Sequence, residues 1–395
     1  MRRVAYLFER FPSFGQTFCY REVAELLRQG CDLTVFSIRR PTSEPPADWA
    51  MEIVERISYL PEEAALLAEV TQLTRQGKLP QEAVRAMEEW GRRTDFLRLA
   101  QAAVIGPRLR ELGIERVHAH FAGMAARTAY WIREFFGIDY SLTAHANDIF
   151  APRDFAVSLP MIMERAVAIV TESDFAADYV RSHFPAEAAR VHRVYNGLDL
   201  SRFQPATFDA DPPRIISVGR LIEKKGFRTL IAACARLRRM GRAFHCEIIG
   251  DGPLHEELSA QIQAHGLREN VVLAGPLAQA DVAARMAAAT LFVLPCTREL
   301  DGGMDNLPTV IMEAMASGLP VISTPIAGVP EMVEADVTGA LVPPDDPIAL
   351  ADAITALLTE PARARRFGAR GRERAAEKFS IEPNVMALRE ILQRL

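Results

Sequence analysis

The chain has 395 residues, 49% of them hydrophobic and 25% charged, which suits two or three globular domains at roughly 150 residues each and excludes disordered, collagen-like and low-complexity classes. Net charge is −5, divided as −3 over residues 1–200 and −2 over 201–395, so neither half carries the basic footprint of a nucleic-acid binder. The five cysteines (Cys19, Cys31, Cys234, Cys246, Cys296) are scattered without a C-x-x-C pair; this predicts a reducing, cytoplasmic setting rather than a disulfide framework or a zinc site.

In chain order, residues 4–8 predict a buried strand. They are too short to be the apolar part of a signal peptide, and no later stretch approaches the roughly 18 apolar residues of a membrane span. A helix is expected at 17–29, stopped by Gly30 just past its end, then a strand at 33–38. Pro41, Pro45 and Pro46 make 41–48 a loop. Residues 61–112 read as a helical insertion. Within it, Trp90 to Leu99 mixes aromatics with Arg92, Arg93 and Arg98 and raises membrane-surface contact as a reading; Glu88, Glu89 and Asp95 dilute the charge, and an ordinary amphipathic helix is favoured. A strand at 116–121, a helix at 125–136 closed by Gly137, and strands at 140–143, 166–171 and 191–195 follow.

The turn-rich segment 196–213 breaks the alternation and places a domain boundary there, giving domains 1–197 and 198–378 and a terminal segment 379–395. A second series has strands at 214–218, 244–249, 270–274, 290–294 and 320–324. The helices between them end at Gly241, Gly266 and Gly318, and only helical patterns follow residue 346. Strands alternating with helices imply α/β domains with parallel sheets covered on both faces. Two such series imply two Rossmann-like domains facing a cleft, with ligands at the carboxyl ends of the strands.

The loops after those strands carry the candidate chemistry. The loop 9–17 lacks G-x-G-x-x-G, which counts against a dinucleotide fold; its Gly15 either lets backbone approach a phosphate or simply makes a turn. Gly219, Arg220, Lys224 and Lys225 lead into a helix. The chain has only four lysines, and a guanidinium fork beside an ammonium suits an anion, although a solvated charged loop is the other reading. Asp305, Asn306, Leu307, Pro308 and Thr309 open a helix whose first amides suit a diphosphate, with Pro308 in the first turn. Glu313 interrupts the apolar Ile311, Met312, Ala314 and Met315, where a carboxylate calls for a partner; a ribose diol is one. His145 stands at a strand's carboxyl end, and His118 and His120 share one face of a neighbouring strand. Asp209-Ala-Asp211 matches D-x-D but lies beside Pro212-Pro213 and reads as linker, and no other cluster shows metal spacing.

Together, Arg10 to Phe18, His118-Ala-His120-Phe, Thr143-Ala-His145, Tyr195-Asn-Gly197-Leu-Asp199, Val218-Gly-Arg220, Glu223-Lys-Lys225-Gly226, Ile249-Gly-Asp-Gly252-Pro and Asp305 through Val321 resemble retaining glycosyltransferases of the GT-B fold, in the group that builds bacterial polysaccharides, the colanic-acid and exopolysaccharide type above all. The resemblance implies transfer of a sugar from a nucleoside-diphosphate sugar, of the UDP kind, to a saccharide or lipid-linked saccharide, in the cytoplasm or peripherally at the inner membrane face, with no metal and no cofactor. It assigns Arg220 and Lys225 to the diphosphate, Glu313 to the ribose, Asp305 and His145 to the reacting sugar, and Gly15, Gly219, Asn306, Leu307 and Thr309 to the donor's surroundings. It also sends the last helix, about 380–394, back onto the first domain. Asp305 stands where the family has Glu, and Ala146 where it has Gly. A sugar-nucleotide epimerase and a non-catalytic sugar-nucleotide-binding subunit are the alternatives.

Overall fold

The computed structural model describes residues 3–42, 49–90 and 95–394. They form two compact units, one running through Tyr195 and joined by the final helix, the other holding Asn196–Ser380. These boundaries fall two residues before and two residues after the expected 197 and 378.

The first unit runs β1 (Val4–Arg10), α1 (Thr17–Arg28), β2 (Leu33–Arg39), α2 (Met51–Val54), β3 (Ile57–Tyr59), α3 (Glu63–Arg75), α4 (Gln81–Trp90), α5 (Phe96–Glu111), β4 (Arg116–His120), α6 (Met124–Phe136), β5 (Asp139–Ala144), α7 (Ala146–Phe150), α8 (Leu159–Arg165), β6 (Ala168–Thr171), α9 (Asp174–His183) and β7 (Val191–Arg193). Its sheet has the order β3-β2-β1-β4-β5-β6-β7, and every pairing is parallel. Helices on both faces explain why β1 is an unbroken apolar run with Ala5, Tyr6, Leu7 and Phe8 all buried. Gly137 closes α6 in the left-handed region at φ 67°, where a side chain would be strained.

The expected helical insertion is α3, α4 and α5. The residues from Leu99 to Pro107 of α5 are buried, and Trp90 packs edge-on against Trp131 at 5.0 Å between ring centroids. The apolar residues of α5 from Leu99 to Pro107 are therefore used inside the unit. Residues 91–94, and residues 43–48 of the expected proline-rich loop, lie outside the described residues.

The second unit runs β8 (Arg214–Val218), α10 (Phe227–Arg239), β9 (His245–Ile249), α11 (His255–Ala264), β10 (Val271–Gly275), α12 (Gln279–Ala287), β11 (Leu291–Leu294), α13 (Thr309–Ala316), β12 (Val321–Ser323), α14 (Val329–Met332), β13 (Gly339–Leu341), α15 (Pro347–Thr359) and α16 (Pro361–Lys378). The sheet order β10-β9-β8-β11-β12-β13 is that of a dinucleotide-type doubly wound sheet, whose strand order reverses at β8/β11. The expected strand and helix series is present. Two strands were not expected, β3 and β13; each has three residues and lies at a sheet edge, too short for a period of two to show.

The last helix, α17 (Ile381–Arg394), belongs to the first unit. Val385, Leu388 and Leu392 enter the core that holds Val23 and Leu26 of α1. Arg28 pairs with Glu382 at 3.4 Å, and Gln29 donates to the Glu382 carbonyl at 3.2 Å.

Candidate active site

The loop between β8 and α10 is built by backbone contact. Gly219 N–H donates to Ile249 O, and Leu221 N–H to Asp251 O, both at 2.9 Å. A Cβ on Gly250 would lie 2.0 Å from Gly219 O, and one on Gly252 2.7 Å from Leu221 O, so the Gly250-Asp-Gly252 turn carries glycines because two backbones touch there. Gly226, at φ +68°, ends the loop with its Cα facing the Pro295 carbonyl, which an added Cβ would meet at 1.8 Å. Lys225 folds back over Gly219, where a Cβ would stand 3.2 Å from Lys225 Cδ and Cε.

This folding-back carries the Lys225 ammonium to 2.5 Å from Asp305 Oδ2, while Lys224 Nζ lies 3.5 Å from Oδ1. Burial opposes charge on Lys225, but the Asp305 carboxylate wins and raises its pKa. Burial likewise pushes Asp305 toward the neutral acid, yet Lys225 and Lys224 together hold its pKa below the ordinary value. Lys225 and Asp305 are therefore both ionised at neutral pH. Arg220 is exposed and near enough for its charge to act on Lys225. Two lysines, one carboxylate and a guanidinium leave a net positive edge at the carboxyl end of β8. Thr297 N–H donates to Lys224 O at 2.9 Å, and Thr297 Oγ1 donates to Asp345 Oδ2 at 2.6 Å, which anchors the lysine loop to the segment after β11.

Asp305 leads directly into α13. Asn306 and Leu307 are buried, and Asn306 O accepts from Gly328 N–H at 3.0 Å. Pro308 stands at the cap with an extended ψ of 107° rather than in the first turn, so α13 begins at Thr309. Glu313, one turn on, is buried with 8% exposure among Ile311, Met312, Ala314 and Met315. Cations beside the start of a helix form a face suited to phosphate oxygens.

In the first unit Gly15 is exposed. Its φ is not in the left-handed region, and a Cβ there would meet nothing within 4 Å. The fold itself does not require glycine at this position.

His145 follows β5 as the cap of α7, with its N–H donating to Asp148 Oδ2 at 2.9 Å. Its Nδ1 lies 2.5 Å from Glu172 Oε1 and its Nε2 3.3 Å from His120 Nδ1. His120 Nε2 meets Glu22 Oε1 at 3.0 Å, and Cys19 Sγ lies 3.5 Å from His120 Nδ1. Burial works against a charged His145, but Glu172 raises its pKa above the usual value. Burial would raise the Glu22 pKa, yet His120 and His118 leave it lowered. His118, bonded to Ser141 at 2.8 Å and Thr143 at 3.0 Å, is kept neutral by burial, with its pKa lowered to about 3.

The structure thus brings Arg220, Lys225 and Asp305 together, and runs the chain from Asp305 through Asn306, Leu307 and Thr309 to Glu313. It ties both ring nitrogens of His145 into a buried chain of polar groups. Glu22, Cys19 and Glu172 are additions to the residues read from sequence, and Lys224, read there as part of the charged loop, is found on the same carboxylate as Lys225. Cys19 and Glu22 sit three apart on one face of α1, and Glu172 directly follows an apolar strand, as His145 does; those placements were the available signals.

Two Rossmann-like α/β units, each built on a parallel sheet, define the GT-B class. Residues 201–374 match the family Glycosyl transferases group 1, and residues 15–202 match Glycosyltransferase Family 4. Proteins of Escherichia coli and Salmonella typhimurium that carry the name of a colanic acid biosynthesis glycosyltransferase, WcaL, are 29% and 33% identical to this chain. The first alignment covers 90% of both chains, the second 74% of this chain and 68% of the relative. The chain belongs to the group 1 glycosyl transferases. Its fold matches the crystal structure of Anabaena HepE in complex with UDP-glucose, with a TM-score of 0.76 and 18% identity over 100% of both chains. No described helix is long and apolar enough to cross a membrane.

Proposed function

We propose that this glycosyltransferase moves a sugar from a UDP-sugar to a saccharide or lipid-linked saccharide, with retention at the anomeric carbon, in the synthesis of a cell-surface polysaccharide. The observation that carries this reading is the cluster of Lys225, Lys224, Arg220 and Asp305 at the edge of β8, in a chain similar to the WcaL proteins. In transfer, the bond from the anomeric carbon to the diphosphate oxygen breaks and an acceptor oxygen takes its place, losing its proton. Negative charge grows on the departing diphosphate. Arg220, Lys225 and the first amides of α13 are fixed before that charge develops, and such a preorganised donor is worth about 2.7–4 kcal/mol of barrier. The cations supply at the diphosphate what a divalent metal supplies elsewhere. Glu313 takes the ribose hydroxyls, Asp305 sets Lys225 and faces the donor sugar, and Gly219, Asn306, Leu307 and Thr309 line the donor. Gly15 gives the phosphates backbone access, and His145 serves the reacting sugar from the first unit.

A panel of nucleoside-diphosphate sugars, screened by thermal shift, tests the donor assignment, since a bound ligand raises the melting temperature by mass action. The expected result is stabilisation by a UDP-sugar, followed by transfer to a saccharide acceptor with an α-linked product from an α-linked donor. Conversion of the donor without any acceptor would point to an epimerase, and binding without turnover to a non-catalytic subunit; either result overturns the proposal.

A further inference from the structure

The start of α5 leaves a buried cation unmatched. Arg98, in the first turn, is 6% exposed. The charges that reach its guanidinium are those of Arg127, Asp95, Arg39 and Glu9. Both carboxylates are occupied elsewhere. Asp95, at the cap of α5, accepts from Arg127 through Oδ1 and from the Val157 N–H through Oδ2 at 3.0 Å. Glu9, in β1, lies 3.5 Å from Arg39, the last residue of β2. Among the described residues no group hydrogen-bonds or pairs with the Arg98 side chain. Arg10 is the strand neighbour of Arg39 in the pairing of β1 with β2, and its Nε is buried with no hydrogen-bond partner among the described residues. Four guanidiniums thus share two carboxylates, and the excess positive charge rests on Arg98 and Arg10.

A guanidinium does not shed its proton to escape burial as an ammonium or an imidazole does. Burial, helped by the charge on Arg127, lowers the Arg98 pKa to about 10, which leaves it charged at neutral pH. Keeping such a charge from water is costly unless an anion pairs with it. A fold that breaks this rule without a compensating contact marks a place where function takes over. The place lies at the carboxyl ends of β1 and β2, the edge at which doubly wound sheets take their ligands. It opens to solvent through Arg39 and Glu9, whose side chains are 51% and 40% exposed. A guanidinium fork matches two oxygens of one carboxylate or phosphate.

We infer that Arg98, with Arg10 and Arg39, forms an oxyanion-binding site in the first unit, and that the acceptor of this enzyme is anionic, presenting a carboxylate or a phosphate group to that site. Naming the ligand as acceptor rests on the glycosyl-transfer reading above; the anion site itself does not. The shared chemistry has two sources, a uronic acid residue of the saccharide or the diphosphate of a lipid carrier. No bond forms or breaks at Arg98, which holds and orients the acceptor. A neutral acceptor would leave the buried charge unpaired and is disfavoured on that ground.

The full chain is titrated by calorimetry with methyl β-D-glucuronoside, with geranyl diphosphate and with the neutral methyl β-D-glucoside, each with excess UDP present to fill the diphosphate site of the second unit. At least one anion is expected to bind about tenfold or more tightly than the neutral glucoside, and Arg98→Met to lose about tenfold of that affinity, the range for bonds to a charged group. Loss of glucuronoside binding in the variant places the anion in the saccharide, and loss of geranyl diphosphate binding places it in the lipid carrier; either supports the site. Arg98→Met also gives a readout that a merely structural arginine would not. Methionine fills much of the space without charge, so the unliganded variant is expected to melt at or above the wild-type temperature. UDP binding by the wild-type chain, measured first and alone, tests the glycosyl-transfer reading separately. Wild type that binds neither anion more tightly than methyl β-D-glucoside overturns the site. So does Arg98→Met that binds the anion within about threefold of wild type, or an unliganded variant that melts below wild type.

Discussion

Replacing Asp305 by Asn keeps the shape of the side chain and removes the charge that Lys225 and Lys224 share. The three side chains are 13%, 9% and 14% exposed, so the lysines would lose their countercharge in a place where water does little to replace it. Breaking a buried pair by removing one partner costs about 3–5 kcal/mol, and the residual exposure puts this case near 3. For a unit in the range of 150–250 residues, 1 kcal/mol moves the melting temperature by about 2–4 °C, so Asp305→Asn is expected to melt roughly 6–12 °C lower. The pH dependence follows from the directions of the shifts. Asp305 is lowered, so its contribution is present above the ordinary Asp value of about 3.9 and lost as pH falls through the folded value. Lys225 is raised, so its contribution is present below about 10.4 and lost as pH rises through the folded value. Between pH 5 and 9 the deficit should therefore be flat. Differential scanning calorimetry of wild type and variant at several pH values checks this. A variant that melts within 2 °C of wild type, or a deficit that vanishes inside that window, refutes the coupling of the lysines to Asp305.

Three further expectations concern the glycine under Lys225, the terminal helix and the buried carboxylate. Gly219→Ala puts a Cβ 3.2 Å from Lys225 Cδ and Cε; a shift of a few tenths of an ångström should lower turnover about tenfold, less than the hundredfold of a 1 Å misplacement, with the melting temperature nearly unchanged. Unaltered turnover there would mean that the position of Lys225 is unimportant. Leu388→Ala removes a side chain that is 1% exposed in the core shared with α1 and should cost about 2–5 kcal/mol in chemical denaturation; a loss below 1 kcal/mol would show that α17 adds little to the first unit. Glu313→Gln should weaken UDP binding about tenfold by calorimetry, within the range for a hydrogen bond to a charged group, and equal affinity would contradict the ribose assignment.

Much of the architecture was legible because its strands are buried on both faces and read as apolar runs. The runs at 4–8, 33–38, 116–121 and 214–218 correspond to β1, β2, β4 and β8, and glycines punctuate the helices where the backbone turns left-handed. β3 and β13 escaped because three residues at a sheet edge carry no period. In the second unit the site residues fall in two short stretches, 219–225 and 305–313, so Arg220, Lys225, Asp305 and Glu313 stood out. What the sequence did not show was that Lys224 reaches the same carboxylate as Lys225, a fact set by the left-handed turn at Gly226 and the Thr297 contact. The histidine cluster was harder still. Cys19 and Glu22 come from α1, His120 from the end of β4, His145 from after β5 and Glu172 from after β6, and only the parallel register brings them to one point.

The central claim is that positive groups at the end of β8 draw off charge as a sugar leaves its diphosphate. Single-turnover transfer from the UDP-sugar that stabilises the chain, compared among wild type, Arg220→Ala and Lys225→Ala, tests it most directly. Each variant is expected to react about 100-fold or more slowly than wild type while keeping its fold. Rates within threefold of wild type in both would contradict the account.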